Sequence, residues 1–463
     1  MFVNPLVVIP TYISARRVKE MSTVIATYDR MTPLTKQGSL ARCLSSLRTV
    51  RSLGRVAVLV VAEGAVENQA YGKVAHILEG FPEIDIVLVG APELAALRRR
   101  MEQLGIDAAH EVGLSGYSAI RNLGFVLAHA LGHDAVVFMD DNETAGGEEF
   151  LERAMYGLGK LTRRRVPILA KSGFYLNEEG SYRSSASRRW YNAFWDQGNA
   201  FDAWITQVMA GPRLTRSNHV CGGCMAVHKE AFKRVAFDPW IPRGEDLDYM
   251  LSLRMYGSDM WFDNTWSLTR ESTPSNEEGL RFRQDIYRWL YEYRKVEYAR
   301  TQIDLMQIKP ASLMPYPGSF LEPGITKRAK RTAWLRSIAR PDSSGYRRAA
   351  RSVPMASRYA EENCMKYFGF QYRWPALIAR MENDAYVQRL FASQSETASW
   401  RRGADAAACE DDAHREGSAR DLAHPRYDEP RDDGESLERP HLSSTSVDPG
   451  LTSEIRLNLP EDE

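Results

Sequence analysis

Short continuous apolar runs recur through the first 140 residues: Leu6–Pro10, Thr23–Thr27, Val56–Ala62, Ile84–Val89 and Ala135–Met139. Each is four to seven residues long and rich in β-branched side chains, the pattern of strands buried on both faces. Between them the apolar positions space out by threes and fours, which predicts helices over Leu40–Arg48, Ala65–Leu78, Pro92–Leu104 and Arg121–Leu131. Strands alternating with helices predict an α/β fold: a Rossmann-like, mostly parallel central sheet flanked by helices. Ligands of such sheets bind beyond the carboxyl ends of the strands. From Gly147 to Gly279 the chain is less regular and richer in aromatics and glycines. Over Leu280–Arg300, Phe282, Ile286, Trp289, Leu290, Tyr293 and Val296 then mark one face of an amphipathic helix, a stripe suited to core packing.

Three units follow from this pattern: an α/β unit over 1–300, a basic and partly helical extension over 301–392, and an acidic tail over 393–463. The formal net charge of the 463 residues is zero, which hides an asymmetry. Residues 404–463 hold 17 acids against 6 arginines, so the remainder carries 54 basic residues against 43 acids. The tail has few aromatics and the composition of a segment that cannot bury a core. A basic body suits an anionic ligand such as a nucleotide diphosphate, or a membrane surface, and does not single out nucleic acid. The basic residues crowd between 326 and 351, where a solvated helix face and a peripheral contact with lipid headgroups are both open. No run approaches the ~20 apolar residues that span a bilayer. The opening run lacks the basic residues and cleavage site of a secretory signal. Five scattered cysteines argue against a disulfide framework. A cytoplasmic protein is expected.

Four local constellations carry candidate chemistry. The strand ending at Met139 runs straight into Asp140, Asp141, Asn142 and Glu143. Such a cluster suits a hard divalent cation shared with a diphosphate, and equally an acidic turn capping the next helix. Glu245, Asp246 and Asp248 stand at a loop-to-helix junction after Arg243-Gly244, where one acid can take a proton from an acceptor hydroxyl and all can simply favour a helix N-terminus. Cys221 and Cys224 flank Gly222-Gly223. No second pair completes a zinc site, so the glycines, which let backbone approach a sugar closely, are the more informative half. Arg121 and Asn122 open the helix ahead of the acidic strand, where an arginine can meet phosphates in bidentate fashion or stand on the surface.

In this order and spacing the elements from about residue 3 to 300 resemble the family 2-like glycosyltransferases of the GT-A fold. The resemblance rests on the strand leading to Pro10-Thr11-Tyr12, on Gly116–Asn122, on the Asp140–Glu143 cluster, on Gly222-Gly223, on Phe237–Pro239 and on Gly244–Asp248 followed by Arg254 and Gly257. It implies transfer of a sugar from a UDP-, GDP- or dTDP-sugar to an acceptor hydroxyl, assisted by Mn²⁺ or Mg²⁺. By position, Pro10, Thr11, Tyr12 and Glu63 would lie at the nucleotide, with Arg121, Asp140, Asp141, Gly222 and Gly223 also at the donor. Asp140, Asn142 and Glu143 would face the metal. Asp246 would be the catalytic base, with Glu245 beside it. Two departures stand out. Asn142 occupies the second acid of the family's Asp-x-Asp motif, and Trp266–Pro274 has no histidine to complete the metal site, leaving Glu271 to substitute or Arg270 to neutralise the diphosphate in place of some metal charge. A catalytically weakened nucleotide-sugar-binding protein of the same fold is the alternative. A sugar-nucleotide pyrophosphorylase is disfavoured, because no glycine-rich loop follows the first strand.

Overall fold

The computed structural model describes residues 3–15, 28, 31–62, 66–184, 188–271 and 278–397, the last five of these by backbone only. The predicted strand over 23–27, the acid Glu63 and nearly all of the predicted tail lie outside the described residues.

The first half alternates strands and helices as the pattern predicts. In chain order these are β1 (Pro5–Ser14), β2 (Thr32–Pro33), α1 (Leu40–Leu47), β3 (Val56–Val61), α2 (Glu67–Glu79), β4 (Ile86–Val89), α3 (Ala91–Gln103), α4 (Tyr117–Ala130), β5 (Ala135–Phe138) and β6 (Glu143–Ala145). There follow α5 (Phe150–Met155), β7 (Ala170–Leu176), α6 (Gln197–Met209), β8 (Leu214–Arg216), β9 (Met225–His228), α7 (Lys229–Phe232), α8 (Glu245–Met255) and β10 (Met260–Arg270). The long helices α9 (Glu278–Arg300), α10 (Ile325–Ala339), α11 (Ser343–Ala379) and α12 (Ala385–Thr397) close the described chain.

The sheet runs β4-β3-β1-β5-β9-β7-β10-β6, with β2 on β1 and β8 on β10. β4, β3, β1, β5, β7 and β10 point one way, while β9 and β6 run against them. The mostly parallel α/β class is therefore observed, with one reversed strand at its centre. β1 is buried along its whole length, and Pro10 lies inside it. A proline is tolerated there because pairing with β5 stops at Val8–Phe138. The Val8 carbonyl accepts from Met139 on that side, so the missing N–H of Pro10, two residues on, faces the gap where β5 has ended.

Helix α4 is buried on every side, with Phe125 packed among Phe138, Phe232, Phe237 and Tyr249. α9 carries the predicted core stripe, and α11 lies along it: Tyr298 packs on Phe368 at 5.0 Å and Tyr291 on Tyr359 at 6.1 Å. α8 is pinned to α9 from within. The fully buried Lys295 ammonium pairs with Asp248 at 2.7 Å and with Asp238 at 2.8 Å, and Tyr291 donates a further hydrogen bond to Asp238. Among the described residues, no helix is long and apolar enough to cross a membrane.

Candidate active site

Antiparallel strands assemble the site. Because β9 pairs with β5 in register Phe138–Met225, its leading end reaches back to the carboxyl end of β5. Gly222 and Gly223 thereby come beside Asp140. In the same way β6 turns back onto β10 with Glu143 opposite Arg270, which draws that arginine to the acids. α4 and α8 both start at this edge of the sheet, so Arg121 enters from the second turn of α4 and the Glu245–Asp246 pair from the first turn of α8.

The result is a cavity of about 280 Å³ whose wall includes Tyr12, Tyr117, Arg121, Asp140, Asp141, Asn142, Gly222, Glu245, Asp246 and Arg270. Asp140 and Asp246, 106 positions apart in the sequence, face this one space. Arg121 joins the two halves. Its guanidinium lies 3.2 Å from Asp140 and 3.7 Å from Glu245, and 4.7 Å above the Phe138 ring. It is 3% exposed, so the surface position open to it in the sequence is not the one it takes. Burial opposes its charge, yet the carboxylates of Asp140 and Glu245 hold it above the ordinary guanidinium range. Its Nη1 is buried without a hydrogen-bond partner. Asn122 caps nothing; its amide bonds the backbone of Glu111 and Phe237 and ties α4 to the loop before α8.

Asp246 accepts the Gly222 N–H at 3.2 Å and the Leu247 N–H at 2.7 Å. Gly244, in the left-handed region at φ 76°, makes the sharp entry to α8, and a Cβ there would run into the Arg288 guanidinium. Burial, then the neighbouring Asp246 charge, pushes the Glu245 carboxyl up to about 7 despite Arg121. Asp248, the third acid of this junction, points away from the cavity to Lys295 and serves packing.

The acidic cluster after β5 divides by role. The Asp140 carboxylate faces the cavity between Arg121 and Arg270, whose Nη2 stands 3.8 Å away. Thr11 donates to Asp141 at 2.7 Å, fixing the loop to β1. The Asn142 amide donates to the Glu271 carbonyl at 3.4 Å. Glu143 is wholly buried behind Asp140: it accepts the Asp140 N–H at 2.8 Å, and Gly223 leaves it room that a Cβ would fill. Burial and the Asp140 charge raise its carboxyl to about 8. Of the three residues expected at a metal, Asp140 and Asn142 line the cavity and Glu143 supports from beneath. Among the described residues, no three His, Cys, Asp or Glu side chains are grouped to hold a metal ion. Of the three expected residues, only Asp140 offers the cavity a carboxylate, which suits a cation that draws its remaining ligands from a diphosphate and water.

Of the expected nucleotide residues, Tyr12 lines the cavity and packs against Tyr117 and Tyr28, whose hydroxyl accepts the Gly116 N–H. Pro10 lies within β1, outside that wall. Cys221 and Cys224 are free and buried. The cavity wall also holds residues to which the sequence assigned no donor or catalytic role, among them Tyr117, Tyr175, His219 and Arg288. Tyr175 accepts the Gly223 N–H at 2.7 Å and lies under Arg270 at 4.8 Å. His219 is held neutral, its pKa lowered to about 4 by burial against the opposing pull of Asp246. Only proximity in space marks these four. The cavity opens into a cleft of about 550 Å³ that shares Asn142, Tyr175, His219, Arg243 and Arg270 with it.

No family model matches the chain, and no curated protein matches it. Among solved structures, it is similar to a mannosyltransferase from Pyrobaculum calidifontis in complex with GDP-Man and Mn²⁺, at TM-score 0.41 and 13% identity over 86% of this chain and 88% of that one. It is also similar to GalNAc-T7 with UDP, GalNAc and Mn²⁺, at TM-score 0.37 and 11% identity over 74% of this chain and 58% of that one. A mycobacterial protein follows, at TM-score 0.34 and 14% identity over 62% of this chain and 74% of that one. At these scores the likenesses carry no argument about the reaction.

Proposed function

We propose that the protein is a glycosyltransferase that moves a sugar from a nucleotide-sugar donor to an acceptor hydroxyl. One observation carries the proposal: Asp140 and Asp246 line a single cavity, and Arg121 spans from Asp140 to Glu245, the residue next to Asp246. The adjoining cleft of about 550 Å³ falls within the ~300–1,000 Å³ of small-molecule sites, and the cavity of about 280 Å³ lies just below it. Tyr12 and Tyr117 offer ring surface to the base, and Arg121 and Arg270 offer guanidinium groups to the diphosphate.

Asp140, with Asn142 beside it, would hold a divalent cation shared with the diphosphate. Bound there, that cation would supply positive charge against the departing nucleotide. The chain's own residues do the rest. Arg121 and Arg270 stabilise negative charge as it grows on the leaving group. The Gly222 and Leu247 N–H groups hold the Asp246 carboxylate in place, and Asp246 takes the proton of the attacking hydroxyl. Glu245 pairs with Arg121 and keeps that guanidinium oriented.

A second reading, a donor-binding protein without turnover, is favoured by one feature: both oxygens of Asp140 already face guanidinium groups. Thermal-shift measurements with UDP-, GDP- and dTDP-sugars, each with and without Mn²⁺, separate the readings when combined with turnover assays. A transferase gives stabilisation by one donor class and slow donor hydrolysis, which Asp246→Asn lowers on the order of 10²–10⁴-fold. Stabilisation without turnover supports the second reading. No stabilisation by any nucleotide sugar overturns both.

A further inference from the structure

Helix α10 has two faces of opposite character. Ile325, Ala329, Thr332, Ala333 and Ser337 are buried against the body of the protein. The outward stripe, at the same helical spacing, presents Lys327, Lys330, Arg331, Trp334 and Ile338, all exposed. Trp334 is 62% and Ile338 65% exposed, unusual for large apolar side chains standing together on one helix face. No acid occurs anywhere between 325 and 339. The patch continues onto the neighbouring segment. Arg336 donates to the Asn192 side chain at 2.9 Å, and the Arg331 guanidinium lies 5.5 Å over the Phe194 ring. Trp190 and Phe194 are thereby held beside the stripe, at 61% and 40% exposure.

We propose that this face of α10, with the 190–194 segment, docks on the headgroup region of an anionic lipid bilayer. Charge complementarity selects the occupant. Lysines and arginines take headgroup phosphates, and Trp and Ile side chains on the same face enter the boundary with the acyl chains. A nucleic acid would use the charge and the rings and leave Ile338 without a partner. An acidic protein would need to cover Trp334 and Ile338 with an apolar patch of its own. Since no described helix crosses a membrane, this is contact with a surface.

The position of the patch gives it a use. The same α10 sends Arg336 into a cavity of about 390 Å³, lined also by Trp195, Tyr316 and His219, and His219 is shared with the cavity holding Asp246. A bilayer on the outer face would lie on the helix that walls this cavity, one residue removed from the cavity of the proposed base, and would bring an acceptor hydroxyl on a membrane-anchored molecule to this side of the site. That last step rests on the transferase reading; the docking itself does not.

Flotation of the full chain with vesicles tests the docking without any activity assay. Vesicles of phosphatidylcholine alone are compared with vesicles that also contain phosphatidylglycerol, across a range of NaCl concentrations. Binding is expected to the anionic vesicles only and to weaken steeply with salt. Lys327→Glu/Lys330→Glu/Arg331→Glu should lower the bound fraction more than tenfold, and Trp334→Ser/Ile338→Ser should lower it with the charges intact. The altered side chains are exposed, so nucleotide-induced thermal shifts should stay as in the wild type. Absence of wild-type binding, equal binding to neutral vesicles, or variants that bind like the wild type overturns the proposal. So does an oligonucleotide that binds through the same residues while vesicles fail to compete. If vesicles bind and no nucleotide sugar does, docking stands and the transferase reading falls.

Discussion

Two carboxyls at the site, Glu143 and Glu245, are buried beside other acids, and the fold holds both protons more tightly than water does. Below the ordinary glutamate pKa of about 4.5 both are protonated in the folded and unfolded chain alike, and neither affects stability. As pH rises toward about 7 for Glu245 and about 8 for Glu143, the unfolded chain releases protons that the folded chain keeps, so stability falls across this window. Carboxylates with lowered pKa, such as Asp263, which after its burial is held down by Lys171 and Arg213, act in the opposite sense and lose their contribution in acid. Urea titrations at a series of pH values should show the fall between pH 4.5 and 8, with Glu143→Gln removing its upper part. A flat profile in the wild type would mean that neither carboxyl is perturbed. At the same scale Arg270 is partly exposed, so Arg270→Ala should weaken nucleotide diphosphate binding, read by calorimetry, with little change in melting temperature.

At the scale of elements, the junction that presents Asp246 depends on how α8 enters and what holds it. Gly244→Ala puts a side chain on left-handed backbone and against Arg288, so a cost above about 1 kcal/mol is expected from the urea midpoint. Lys295→Met leaves Asp238 and Asp248 buried without their cation. Removing one partner of such a group costs about 3–5 kcal/mol. Exchanging all three for neutral residues (Asp238→Asn, Asp248→Asn, Lys295→Met) should recover part of that loss, which a purely steric effect of the methionine would not allow. β9 and β6 play a comparable part. Each runs against its neighbour and so delivers the start of one segment to the end of another: the glycine pair to Asp140, and Arg270 to the acidic loop.

For the whole molecule, the extension after residue 300 is the cover of α9 as well as a surface of its own. Tyr298 packs on Phe368, and the Lys295 ammonium lies 3.6 Å from the centre of the Tyr367 ring, both contacts with α11. A chain ending at Arg300 is therefore expected to lose its cooperative thermal transition and bind an apolar dye, as an uncovered core face would. A sharp transition in that fragment would show that 1–300 folds alone.

The sequence by itself determined the alternation of strands and helices, and hence an α/β sheet with its charged residues beyond the strand ends, because each apolar run records locally whether one face or both are buried. It also marked Asp140, Asp246 and Arg121, since charges packed at the ends of apolar elements are conspicuous without any contact map. What the acids do was decided by tertiary structure alone. Asp248 and Glu143 look like their neighbours in the chain, and only the directions of α8 and β6 turn one toward Lys295 and the other beneath Asp140. The inclusion of Tyr175, His219 and Arg288 in the cavity wall was likewise beyond local pattern. Strand order and strand direction bring together residues far apart in the chain, and no short window encodes those distances.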